Sequence, residues 1–250
     1  MIYDPTPDAV PGRVSANLVR VASSCAFLTV LTTMGVHWLP KLWENANSFE
    51  AQIQLRHNAI YIGQRWIVLV HCLLVVISMA PIPALLHGTA RLVAMFGFGS
   101  YVIFAFVEML RTSLSIFAVN RAWGSGYELA NNDSARATFR SAIETFSGVN
   151  DALFFLFFTA FALGLLCYGL ALLQTSGVDR QIAFLFLIWA FLNLPGLIAF
   201  ATGKESIGSA FEWVGPYFQP VARLLIGAWL WNVSRWIVAG KIGRVQLLST

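Results

Sequence analysis

From Asn17 onward the chain alternates long apolar runs with short polar ones. Runs near twenty residues predict six helices, at about Asn17–Pro40, Ile60–Leu86, Ala90–Ala118, Asp151–Gln174, Gln181–Ala201 and Val214–Gly240. At ~1.5 Å rise per residue such a run covers the ~30 Å hydrocarbon core of a bilayer. The pattern therefore predicts an all-α integral membrane protein, a bundle of about six transmembrane helices. The expected organisation is a polar N-terminal leader (1–16), a six-helix transmembrane domain (17–240) and a short basic C-terminal tail (241–250). An even number of spans puts both termini on one side, with the short turns LLHGTAR and TSGVDR. The longer connections, after spans one, three and five, lie on the other, here called the long-loop side.

The third connection carries its own pattern. In NNDSARATFRSAIETFSG, Phe139, Ile143 and Phe146 recur at helical spacing, while Arg136, Arg140 and Glu144 lie four apart on another face. This predicts a short amphipathic helix at the membrane interface, capped by Asp133 and ended by Gly148. Pro81, Pro83 and Pro195 are expected to end or kink spans two and five. Ala160 with Gly164, and Gly97 with Gly99, mark faces where helices can approach closely. Trp38, Trp43, Trp66, Trp123, Trp213 and Trp236 fall where spans meet loops, as an aromatic belt does.

Composition strengthens the class. The 250 residues are 58% hydrophobic and 11% charged, against about 25% charged in a soluble domain, which excludes an ordinary soluble fold. The net charge of +4 does not point to nucleic acid, because the basic residues are scattered singly between spans. Lysines and arginines divide evenly between the two sides, but those on the terminal side sit in short segments and an acid-free tail. That favours both termini in the cytoplasm, with the plasma or inner membrane as host. The leader MIYDPTPDAVPGR has acids and three prolines where a secretory signal has a basic stretch, so it is expected to be retained. Cys25, Cys72 and Cys167 are odd in number and all lie in apolar runs, which suits packing better than disulfides.

Candidate chemistry begins with FAFVEMLRTSLSIF, residues 104–117, where Glu108 and Arg111 interrupt an apolar span. A charged side chain at the bilayer centre costs roughly 2.5–3.5 kcal/mol on insertion scales, so it should face protein or water and find a partner. Arg111, three residues on, can supply one, and Ser115 extends the same face. The other polar intruders are His71 in span two, Asn193 in span five and Arg223 in span six, with Gln219 one turn before it. Measured from the long-loop end of each span, His71 lies ~16 Å in, Glu108 ~15 Å, Arg223 ~14 Å, Asn193 ~12 Å and Arg111 ~10 Å. Four helices thus place polar groups in one layer. Such a layer serves either to fix helix register or to form a pocket for a proton, an anion or a hydrogen-bonding ligand.

Other chemistry finds little support. His37 is only ~5 Å from the end of span one, displaced from His71, which disfavours a bis-histidine haem. There is no paired C-x-x-C, H-E-x-x-H, G-x-x-x-x-G-K-[ST] or G-x-S-x-G, and TGKES (202–206) reads as a loop. The sequon at Asn132 is treated as chance. No metal site and no cofactor is predicted. The expected partners are the lipid bilayer, a small anionic or lipophilic ligand, and other membrane proteins. Three functions stay open: binding or transport of a small solute or protons, an enzyme acting on a lipophilic substrate, and an accessory or assembly subunit of a membrane complex.

Overall fold

A computed structural model describes residues 14–43, 46, 48–203 and 214–240. Most of the leader, the basic tail and residues 204–206 of TGKES lie outside the described residues, as does Trp213. Six long helices form: α1 (Ala16–Trp38), α2 (Ala59–Met79), α3 (Gly88–Leu114), α4 (Asp133–Leu172), α5 (Val178–Thr202) and α6 (Gly215–Val238). Among the described residues there is no strand, and the protein is an all-α, multi-pass membrane bundle. The first five helices, with short continuations of α1, α2 and α3, are long and apolar enough to cross a bilayer. The sixth is long enough at 24 residues, but with Gln219, Arg223 and Arg235 it falls short of their apolarity.

The helices pack in the order α6, α1, α2, α3, α4, α5, each mainly against its neighbours, and α5 touches α6 only sparingly. Close approach depends on small residues. Gly97 and Gly164 let α3 and α4 meet, and a Cβ on Gly164 would fall 2.8 Å from the ring of Tyr101. On the other side of the bundle, Ser23 of α1 donates to the Gly227 carbonyl of α6 at 2.8 Å, beside the ring of Phe27. The outer faces are as apolar as the interior. Leu31, Phe96, Phe106 and Phe191 are exposed, as lipid-facing side chains are.

Two elements differ from the sequence reading. The amphipathic stretch of the third connection is helical, but it is the N-terminal part of the 40-residue α4 and not a separate helix. Asn132, not Asp133, caps it, accepting from the Ala135 N–H at 2.8 Å, while Asp133 lies in the first turn near the positive helix end. Gly148 does not end it. An interior glycine costs only about 1 kcal/mol, and helix propagates cooperatively into the apolar span that follows. Likewise α3 does not stop near Ala118. It continues as a widened, π-type helix over Ser115–Trp123 and then as regular helix to Leu129. The prolines divide: α2 ends at Met79, ahead of Pro81 and Pro83, whereas α5 runs through Pro195.

A short helix in the first connection, Phe49–Gln54, was not evident in the pattern. It is capped by Ser48 and followed by a tight turn to His57. Glu128 holds this segment, pairing with Arg56 at 3.2 Å and His57 at 3.1 Å and accepting from Gln54 at 3.2 Å. Phe49 packs edge-on against Tyr127, and Arg140 of α4 lies over its ring. These contacts tie the first and third connections together over the long-loop side.

Candidate functional site

The bundle interior holds two kinds of buried charge. Glu108 of α3 is 6% exposed and receives both Nε and Nη2 of Arg111, at 2.7 and 2.6 Å. This is the fork geometry in which a guanidinium and a carboxylate satisfy each other most fully. Arg111 spends a third donor on Asn150 of α4, at 3.2 Å, and its guanidinium lies over the ring of Phe154. The pair is thus fixed to both α3 and α4.

Arg223 of α6 is the opposite case. It is 2% exposed, its Nε has no hydrogen-bond partner, and no carboxylate pairs with it among the described residues. Its guanidinium stacks over the indole of Trp189 on α5, 5.2 Å from the ring centre. Such a contact offsets only about 0.5–2 kcal/mol of a desolvation penalty of several. Tyr101, fully buried with an unpartnered hydroxyl, is within electrostatic reach of it. His71 and His37 are within reach as well, and neither supplies a negative charge.

The predicted layer can now be placed residue by residue. Glu108 and Arg111 pair with each other on α3, Arg223 of α6 lies over Trp189, and Cys72 of α2 is fully buried. His71, the next residue, is buried and meets Thr32 of α1 at 2.7 Å through Nδ1. Asn193 is buried one turn above Trp189 and donates to its carbonyl at 2.6 Å. Ser115 is half-buried at the start of the widened segment, and the buried face that continues from Glu108 runs through Thr112, Ile116 and Asn120.

Asn193 and Gln219 line a cavity of about 330 Å³ between α4, α5, α6 and the end of α1. The aromatic part of its wall is Phe154, Phe158, Trp189 and Phe218, and the polar part is Asn193, Gln219 and His37. His37 near the end of α1 and Phe218 and Gln219 near the start of α6 place the cavity toward the long-loop ends of those helices, beside the pair α5 and α6 that pack only sparingly. Gly196 keeps room for Phe158, whose ring would stand 3.1 Å from an added Cβ. Glu108, Arg111, His71 and Arg223 do not line the cavity. Arg223 lies over the ring of Trp189, which does line it.

Sequence reasoning passed over Trp189 and His37. Trp189 lies mid-helix, unlike the belt tryptophans, and that position is the signal it offered. His37 was set aside because it is near the end of its span, yet the cavity lies near the same end. Among the described residues no cluster of three or more His, Cys, Asp or Glu could hold a metal ion. The class defined by fold and site is an integral multi-pass membrane protein with charged groups in its interior. No family model, curated protein or solved structure matches the chain.

Proposed function

We propose that this protein binds a small anionic solute within the bundle, admitting it from the long-loop side through the cavity between α5 and α6. The observation that carries this reading is Arg223, a guanidinium buried in a membrane bundle with no acid paired to it among the described residues. A guanidinium does not deprotonate in proteins, so neutralisation has to come from another anion. The adjacent cavity offers the room, and its polar wall of Asn193, Gln219 and His37 offers hydrogen bonds. Glu108 is the weaker candidate for a proton or cation acceptor, because Arg111 engages both of its oxygens.

The test is native mass spectrometry of the gently extracted protein and of Arg223→Ala. A small anion held by the native protein and lost from the variant is expected. Stoichiometric partner chains with no small molecule would overturn the reading and favour an accessory subunit.

A further inference from the structure

Three features of the cavity narrow the anion it would take. The first is charge: Arg223, against Trp189 of the wall, has no carboxylate among the described residues and balances one negative charge, because Glu108 and Arg111 already cancel. The second is the indole of Trp189. This residue lines the cavity, is 1% exposed, and its Nε1 is a buried donor with no acceptor. A buried donor left unpaired costs about 1–3 kcal/mol, which an acceptor atom on a ligand would recover. The third is the apolar wall. Phe154 and Phe158 lie nearly parallel, 5.8 Å apart and 17° between planes, and Phe218 stands edge-on to Trp189 at 6.0 Å. A fully hydrated inorganic ion gains nothing from such a surface.

We propose that the cavity takes a small monocarboxylate with a flat apolar body. Its carboxylate accepts from the Trp189 indole and the Gln219 amide, within the field of Arg223, and its body lies against the rings of Phe154 and Phe158. The volume of about 330 Å³ is at the lower end of ligand pockets, which excludes a long-chain lipid as a wholly enclosed ligand. The proposal rests on the anion reading above and adds the chemical class to it.

The experiment is calorimetric titration of the full chain in nanodiscs, against empty nanodiscs, with four probes: 3-phenylpropionate, 3-phenylpropanamide, 3-phenylpropylamine and propionate. The first should bind about tenfold or more tightly than each of the others, since a charge-assisted hydrogen bond and a buried ring are each worth a tenfold step or more. Trp189→Phe, which keeps the apolar wall and removes the donor, should weaken 3-phenylpropionate severalfold and leave 3-phenylpropylamine, whose ammonium has no acceptor, unchanged. If propionate equals 3-phenylpropionate, the apolar-body class falls while anion binding stands. If the neutral amide equals the acid, both fall. The four-probe series on the native protein decides this without any variant.

Discussion

Glu108 with Arg111 and Arg223 with Trp189 are two answers to the same cost. Both put guanidinium groups inside a membrane bundle, and both draw an aromatic ring against the charge. On α3 the charge is cancelled within one turn by a two-bond fork and tied to Asn150 of the next helix. On α6 it is left open, with two unpartnered donors, Arg223 Nε and Trp189 Nε1, close to a cavity. The difference is one of electrostatic satisfaction. A satisfied buried pair fixes helix geometry, whereas an unsatisfied donor retains the cost of its desolvation.

That contrast can be broken most forcefully on the satisfied side. Glu108→Ala leaves Arg111 buried with only Asn150 to answer it, and should lower stability by about 3–5 kcal/mol in denaturant titrations of the detergent-solubilised protein. A loss below about 1 kcal/mol would mean that water already solvates the pair. A smaller loss is expected from Gly164→Ala, which presses a methyl group against the fully buried Tyr101 where α3 and α4 meet. Overpacking of this kind costs about 1–3 kcal/mol, read in the same titration, and displaces a ring within reach of Arg223. Thr32→Val removes the partner of His71 Nδ1 and should cost about 1 kcal/mol. Its sharper readout is the imidazole NMR signal of His71, which should shift while that of His57 stays put.

How much of this was legible in the sequence follows the range of the forces involved. The spans could be read because bilayer thickness sets their length, and the i,i+3 pair of Glu108 and Arg111 because helix geometry sets its neighbours. The common depth of His71, Glu108 and Arg223 was an expectation from residue counts. What could not be read depended on packing between helices. Nothing in the run around Gly148 announces that α4 continues through it, and nothing after Leu114 announces that the helix widens. The helix at Phe49–Gln54 is too short to show a period and is held by distant Glu128. The same limit applies to the site. Sequence expected Arg223 in one polar layer with Glu108 and Arg111, but only the fold shows that it lies over Trp189 while Arg111 engages Glu108.

The central claim is that Arg223 is buried against Trp189 with no carboxylate partner among the described residues. Its most direct test is the unfolding free energy of Arg223→Met in ligand-free detergent, compared with the native chain. Methionine keeps much of the side-chain volume and strands no acid, so the account predicts stability unchanged or raised by about 1 kcal/mol or more. A loss comparable to that of Glu108→Ala would contradict it, because it would show that Arg223 already holds a structural counterpart and has no charge left for a ligand.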